Sequence, residues 1–470
     1  GALYGLAEEG RPADSLIAPI KPKMFTQMAP EGGQLPNGES TPIGDALKVA
    51  DIADRNGATV TIRMPDIYPN FPYQWVSWDD WYSKVEAMVS ARLESEADNI
   101  YAYELWNEPD WTWDTANAGS FLEGWEKTYD KVRELDSDTP IMGPSYSIFN
   151  ETWIRSFLSY CKENGCLPDI ISWHELGDYL GVPNPQNIQA RIAVYRQIEE
   201  ELGIDPLPIS INEYMAYSED TIPGHTIQYI AQFERGGVDT ANTAFWFRPG
   251  RLSNIVTDTG KANGSWWMFK WYGDMSGEMA MTVPAQTDSM GLDGIASVDE
   301  DTDAVHVVFG GASGDREVVV KGFESEGLSY SGKAYVKAEA TPWYGVDTEV
   351  DEPTLLFAGE FDIVNGEIAV PISGMNDIWA YHLVITPVAQ TADTRYESEH
   401  ATVNRAGVFE NDNASNGKYV GQIDYADSYV EYSVQAPSAG EYELTIGYAN
   451  GTENVSTQEL TVNGVAEGTV

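Results

Sequence analysis

The chain contains little cysteine and no long apolar run. Its only two cysteines are Cys161 and Cys166, and they lack the His or Cys partners that a zinc site requires. The two thiols could form a local disulfide in an oxidising compartment or remain as two buried thiols. Because no run of ~20 apolar residues occurs, no membrane-spanning helix is predicted.

Basic residues are also scarce, with 27 Lys and Arg against 74 Asp and Glu, which gives a formal charge of −47. Such a surface repels nucleic acid and anionic membranes, so neither is expected as a partner. The same charge destabilises the compact state unless salt screens it. The composition is typical of a salt-adapted protein from a marine or halophilic source, and the alternative is an ordinary acidic secreted enzyme. With 15 Trp and 26 Tyr, a disordered chain is excluded.

Short apolar runs recur along the first 275 residues, separated by segments that are mostly long enough for crossover helices. One such segment places Phe121, Trp125, Thr128, Val132 and Leu135 on one helical face. This repeat predicts an α/β fold, a (β/α)8 TIM barrel. The eight predicted strands start near Ala2, Lys23, Ala58, Ile100, Pro140, Asp169, Pro208 and Thr240.

Two glutamates follow strand-like runs within this repeat. Tyr101 to Leu105 is a β-prone run that leads into Trp-Asn-Glu-Pro at 106–109, and residues 207–214 read Leu-Pro-Ile-Ser-Ile-Asn-Glu-Tyr. In the strand count, Glu108 ends strand four and Glu213 ends strand seven. The carboxyl ends of the strands are where TIM barrels place their active sites. A pair of carboxylates is what glycoside hydrolysis requires, whereas the alternative is two solvated surface glutamates.

The Trp-Asn-Glu-Pro tetrapeptide and the later Ile-Asn-Glu-Tyr resemble clan A glycoside hydrolases, which are retaining barrel enzymes, over roughly residues 1–275. Family 39, with its β-xylosidases and arabinose-releasing enzymes, is the most similar. The resemblance implies that Glu108 is the general acid/base, that Glu213 is the nucleophile about 5 to 5.5 Å away, and that Asn107 binds the sugar 2-hydroxyl. It implies a carbohydrate substrate from plant or marine polysaccharide and no cofactor for catalysis. The alternatives are an endo-acting β-glycanase of another clan A family and an inactive barrel that only binds glycan.

Four further residues are expected at the substrate. His174 on strand six matches an active-site histidine of the clan, and Trp246 on strand eight matches its sugar-stacking platform. Trp111 and Trp113 follow the acid and could wall a subsite. The alternatives are a buried core histidine, a barrel-filling aromatic for Trp246, packing of either loop tryptophan against the Trp125 helix, and a turn-capping amide for Asn107.

The texture of the sequence changes after the barrel. Residues 1–278 are predicted as the catalytic barrel, 279–388 as an all-β sandwich and 389–394 as a linker. Residues 396–399 read Tyr-Glu-Ser-Glu, 416–421 read Asn-Gly-Lys-Tyr-Val-Gly and 428–432 read Ser-Tyr-Val-Glu-Tyr. With these motifs, residues 395–470 resemble part of a carbohydrate-binding module of families 6 and 35, and the resemblance implies that Glu397 and Glu399 help to bind a structural calcium. We expect an extracellular or secreted protein. The chain begins within strand one without a signal peptide, which we interpret as a fragment or processed form.

Overall fold

The computed structural model describes residues 1–35, 40–177, 181–245, 248–299, 301–324, 328–388, 395–411, 413–434, 442–450 and 455–469. The chain folds as two compact units, Gly1–Val388 and Ala389–Val470. The predicted linker at 389–394 lies outside the described residues.

The first unit begins with eight parallel strands that close into a barrel. Each strand starts within one residue of its predicted position, so the predicted barrel is confirmed. The strands are β1 (Ala2–Leu3), β2 (Met24–Met28), β3 (Thr59–Arg63), β4 (Ile100–Glu104), β5 (Ile141–Tyr146), β6 (Ile170–Glu175), β7 (Ile209–Tyr214) and β8 (Thr240–Thr243).

Helices connect the barrel strands and cover the barrel. They are α1 (Asp14–Ile17), α2 (Ala46–Arg55), α3 (Trp78–Glu94), α4 (Pro109–Thr112), α5 (Thr115–Ala118), α6 (Phe121–Leu135), α7 (Glu151–Asn164), α8 (Ile188–Leu202), α9 (Pro223–Gly236) and α10 (Gly264–Asp274). Short 3-10 turns span Ala18–Ile20, Met64–Ile67, Pro185–Asn187, Tyr217–Glu219 and Ser398–His400.

The helix α6 shows how the sequence pattern produces this packing. Its predicted apolar face buries Trp125, Thr128 and Val132, because residues three and four apart share one side of a helix. Trp125 also donates from Nε1 to the carbonyl of Cys166 at 2.8 Å. Both cysteines are unbonded and buried in the same core, so they are two buried thiols in this structure.

Residues after the barrel form the predicted all-β region. Two sheets, of order β14-β13-β16-β11-β10-β9 and β12-β15, pack their apolar faces on each other. Their strands are β9 (Glu278–Ala280), β10 (Asp293–Asp299), β11 (Ala304–Gly310), β12 (Gly314–Lys321), β13 (Lys333–Thr341), β14 (Thr354–Asp362), β15 (Glu367–Met375) and β16 (Ala380–Pro387).

The sandwich packs directly on the barrel helices α9 and α10. Ile227 of α9 and Met268 of α10 share a core with Val308 of β11. At Gly224 the backbones approach so closely that a Cβ would lie 2.2 Å from the carbonyl oxygen of Asp377. Barrel and sandwich are therefore one packed body, in which the sandwich covers the side of the barrel.

The second unit contains three two-stranded antiparallel sheets, β17-β20, β18-β19 and β21-β22. These pairings are consistent with β structure but do not confirm a carbohydrate-binding module. The strands are β17 (Thr402–Asn404), β18 (Gly407–Glu410), β19 (Lys418–Gly421), β20 (Tyr429–Glu431), β21 (Glu459–Val462) and β22 (Val465–Thr469). Across the described residues of both units, no helix combines the length and apolar character needed to cross a bilayer.

Candidate active site

Glu108 lies at the carboxyl-terminal face of the barrel, but not at the end of a strand. Strand β4 ends at Glu104, and Glu108 is the residue that precedes α4, with φ 53° and ψ 50°. This left-handed conformation costs a non-glycine residue on the order of 1 kcal/mol. It is held by a hydrogen bond from the Glu108 backbone N–H to the carbonyl of Ser145 at 2.9 Å. The expectation that Glu108 ends strand four is therefore wrong by four residues, because the chain leaves the strand direction to turn the carboxylate inward.

Glu213 lies within β7, as predicted. The register of the parallel strands sets it beside His174 of β6, and its side chain is about one-tenth exposed. One oxygen, Oε1, accepts a hydrogen bond from Nη1 of Arg63 at 2.6 Å. Glu213 is therefore anchored by a buried guanidinium, which fixes the orientation of its carboxylate.

The two glutamates meet around His174. Nδ1 of His174 is 3.2 Å from Oε1 of Glu108 and 3.8 Å from Oε2 of Glu213. One carboxylate oxygen of Glu108, one of Glu213 and one ring nitrogen of His174 all lie within 4.8 Å of one another. Burial alone would lower the pKa of His174, but the charge of Glu213 and the hydrogen bond and charge of Glu108 raise it above its usual value. His174 thus contacts both candidate glutamates and does not lie in a purely apolar core.

A buried polar network, which the sequence did not predict, contacts Glu213 and extends to the backbone partner of Glu108. Arg63 donates from Nε to Glu104 at 2.9 Å while it holds Glu213. Burial would lower the pKa of Arg63, but the charges of Glu104 and Glu213 raise it well above its usual value. Asn212 donates to Glu104 at 2.6 Å and to Oγ of Ser145 at 3.0 Å. The network therefore joins Asn212, the neighbour of Glu213 in the chain, to Ser145, whose carbonyl accepts from the backbone of Glu108.

A third buried carboxylate, Asp66, lies near Arg63. It accepts hydrogen bonds from the hydroxyl of Tyr4 at 2.5 Å, from Tyr73 at 3.1 Å and from Nε2 of Gln34 at 3.0 Å. Burial raises the pKa of Asp66 to about 7, against the opposing effect of Arg63. Asp66 fixes the loop after β3, where the ring of Tyr73 packs edge to face on Phe71 and Trp106.

The loop tryptophans after the acid differ in exposure. Trp111 is 52 % exposed and donates from Nε1 to Oε2 of Glu108 at 3.0 Å. Its ring meets the ring of Phe71, itself 47 % exposed, edge to face at 5.2 Å. Trp113 is buried and packs on Trp106 and on Phe121 of α6, so it presents little surface to a sugar. Trp111 and Phe71 form the exposed aromatic corner of the site.

The remaining predicted residues have separate outcomes. Asn107 is 3 % exposed, and its Oδ1 has no hydrogen-bond partner within the described part of the chain. Oγ1 of Thr112 donates to the Asn107 backbone carbonyl at 2.6 Å, which holds the turn. Trp246 lies outside the described residues.

The predicted calcium ligands lie in the second unit. Glu397 accepts from Ser415 at 2.6 Å and pairs with Arg395 at 2.8 Å, which disfavours a cation there. Glu399 accepts from Asn416 at 2.8 Å and keeps its Oε2 buried and unpartnered among the described atoms, which fits one. Calcium at this position stays a prediction.

Glu108, His174 and Glu213 could also hold a cation by geometry, but Arg63 already supplies a positive charge there.

Comparisons with known proteins place a family match within the barrel. Residues 60–267 match the model of glycosyl hydrolases family 39. The structure of N2152 from Neocallimastix frontalis is 36 % identical, with a TM-score of 0.76 over 83 % of this chain and 95 % of that chain.

Two curated relatives come from bifidobacteria. A 3-O-beta-L-arabinopyranosyl-alpha-L-arabinofuranosidase of Bifidobacterium pseudocatenulatum is 28 % identical over 82 % of this chain and 46 % of its own length. A 3-O-alpha-D-galactosyl-alpha-L-arabinofuranosidase of Bifidobacterium longum subsp. longum is 26 % identical over 93 % of this chain and 42 % of its own length. The chain thus spans less than half the length of these two relatives.

Proposed function

We propose, from the glycosyl hydrolase family 39 domain that residues 60–267 carry, that this chain is a retaining glycosidase of the arabinosidase or xylosidase type. The observation that carries the proposal is the approach of Glu108 and Glu213, whose nearest oxygens lie within 4.8 Å. Retaining enzymes hold their carboxyl groups about 5 to 5.5 Å apart, whereas inverting enzymes leave about 6.5 to 9.5 Å for a water. The short separation supports attack by one glutamate on the sugar.

The reaction is a double displacement. The Glu213 carboxylate forms a bond to the anomeric carbon while Glu108 gives its proton to the leaving oxygen, and the glycosidic bond breaks. Glu108 then takes a proton from water, whose oxygen displaces Glu213 from the sugar. Arg63 holds Oε1 of Glu213 and so orients the carboxylate, and Asn107 offers its unpartnered Oδ1 to a sugar hydroxyl.

We propose an α-L-arabinofuranoside as the substrate, because both curated relatives are named for 3-O-substituted α-L-arabinofuranosides. The aromatic corner of Trp111 and Phe71 lies next to the acid, where the leaving group would sit, and aromatic faces stack on sugar rings. A plant or marine polysaccharide that bears such side chains would supply the substrate.

The first experiment offers aryl α-L-arabinofuranosides, with and without a sugar on O3, and aryl β-D-xylopyranosides. Proton NMR then follows the anomeric configuration of the first product. We expect hydrolysis of an arabinofuranoside with retention. Inverted product would refute the double displacement, and hydrolysis of xylosides alone would replace the proposed substrate.

Variants of the two glutamates separate their roles. Glu213→Ala removes the nucleophile, so azide should restore turnover and give an azide product of inverted configuration. Glu108→Ala removes the acid/base, so azide should accelerate only substrates with good leaving groups and give the retained product. The matched control is Glu219→Ala, which removes another buried glutamate on the loop after β7. An azide product from the control would show that rescue is unspecific.

A further inference from the structure

The geometry points to Glu104 as a positioning residue, which holds Arg63 against the nucleophile and sets the net charge of the catalytic cluster. Glu104 is fully buried at the end of β4, and the register of the strands places it beside Arg63 of β3. This inference rests on the proposed function for its kinetic readout. It concerns how the chain builds the site rather than which bond is broken.

The donors around Glu104 require a carboxylate. Its Oε2 accepts from Nε of Arg63 at 2.9 Å, and its Oε1 accepts from Nδ2 of Asn212 at 2.6 Å. An ionised carboxylate only accepts hydrogen bonds, so it satisfies both donors at once. A glutamine offers one oxygen and one NH2 group, so one of the two donors would face another donor. The position therefore selects glutamate over its isostere.

Glu104 also neutralises part of the positive charge of Arg63. Arg63 contacts two carboxylates, those of Glu104 and Glu213, so its single positive charge leaves the nucleophile only partly compensated. The other ionisable groups that face this cluster are Glu108, His174, Asp66, Tyr4 and Tyr73. Removal of the Glu104 charge would let Arg63 act on Glu213 alone, and protons throughout the cluster would be lost more easily.

The test compares three variants with the wild type. Glu104→Gln removes the charge and one acceptor, whereas Glu104→Asp keeps the charge but shortens the reach to Arg63. The matched control is Glu199→Gln, because Glu199 on α8 is also buried and accepts from Arg196 at 2.8 Å and from the Leu207 backbone at 2.8 Å. Melting temperature is measured for all three, together with kcat and KM from low to high pH.

We expect Glu104→Gln to lower kcat by about tenfold to a hundredfold, the loss of one charge-assisted hydrogen bond, with little change in KM. Both limbs of its pH profile should move to lower pH by about one to two units, as for a charge removed at ~6 Å in a medium of effective dielectric ~20. Glu104→Asp should lose rate without moving the limbs, and Glu199→Gln should change neither. Unmoved limbs in a folded Glu104→Gln variant would overturn the inference. If that variant does not fold, an unchanged kcat in Glu104→Asp would overturn it instead.

An NMR titration gives a readout that needs no turnover. The chain has 5 histidines, and the His174 signal can be assigned with His174→Asn. Loss of the Glu104 charge should lower the titration midpoint of His174, which its carboxylate neighbours raise, and Glu199→Gln should leave it in place. A wild type that cleaves no glycoside would refute the proposed function, while this midpoint would still support or overturn the role of Glu104.

Discussion

The barrel–sandwich contact contains a histidine pair that should make stability depend on acid pH. His382 of β16 is 4 % exposed, its Nε2 lies 3.2 Å from Nδ1 of His306, and its ring packs on Trp271 of α10. Burial lowers the pKa of His382 to about 3, and His306, Lys337 and Lys270 add to the shift. Burial also lowers the pKa of His306, although Asp274 and Asp299 oppose this.

The sign and size of the effect follow from linkage. The unfolded chain binds a proton at this histidine below its ordinary pKa of about 6.5, whereas the folded chain excludes the proton until about 3. The free energy of unfolding therefore falls as the pH drops through this window. Between pH 7 and pH 5 the difference amounts to about 2 kcal/mol from His382 alone, since each pKa unit corresponds to about 1.4 kcal/mol.

The perturbation is His382→Phe, which keeps a ring against Trp271 and removes the titrating group. At pH 7 the variant should be less stable by about 1 kcal/mol, the usual value of one lost hydrogen bond. By pH 5 it should equal or exceed the wild type in urea unfolding at constant ionic strength, because the many surface carboxylates titrate alike in both proteins. A wild type and variant that lose stability in parallel from pH 7 to pH 5 would refute the reasoning.

Four further outcomes can be checked directly. Melting temperature should rise with sodium chloride, most steeply at low salt, because the Debye length falls from roughly 30 Å at 0.01 M to about 3 Å at 1 M; coincident melts would remove the support for salt adaptation. Trp111→Phe should lower kcat for poor leaving groups with little change in KM, since it loses only the N–H bond to Glu108, whereas Trp111→Ala should also raise KM. A chain that ends at Val388 should hydrolyse aryl glycosides at the full rate, because both glutamates lie in the first unit, and any loss should be confined to polysaccharide binding. Gly124→Ala should lower the melting temperature, because its Cβ would lie 2.3 Å from the ring of Trp113.

The barrel could be predicted from the sequence because its signals are local. Each strand is a short apolar run, and each crossover helix repeats its apolar face, as Trp125, Thr128 and Val132 do in α6. These patterns depend only on the geometry of one element. The two glutamates were found in the same way, since each follows such a run, although the strand end was misplaced at Glu108.

The exposure of the loop aromatics could not be predicted, because it depends on packing between distant segments. Trp111 and Trp113 are two residues apart, yet one meets Phe71 at the surface and the other is enclosed by Trp106 and Phe121. Residue type alone predicts the same exposure for both tryptophans. The difference arises where the loop after β3 and helix α6 meet the loop after β4.

The polar network around Arg63 could not be predicted, because its members are far apart in the sequence. Arg63 and Glu213 are 150 positions apart, and Arg63 and Glu104 are 41 apart, so no local pattern links them. From the sequence alone, a single basic residue at a strand end is predicted to be an exposed surface charge. Closure of the barrel brings the carboxyl ends of β3, β4 and β7 together. Neighbouring side chains, rather than water, then surround each of these charges. In a chain with few basic residues, one arginine between two buried carboxylates therefore acts on the candidate site directly, whereas the excess of acidic groups on the surface is screened by salt.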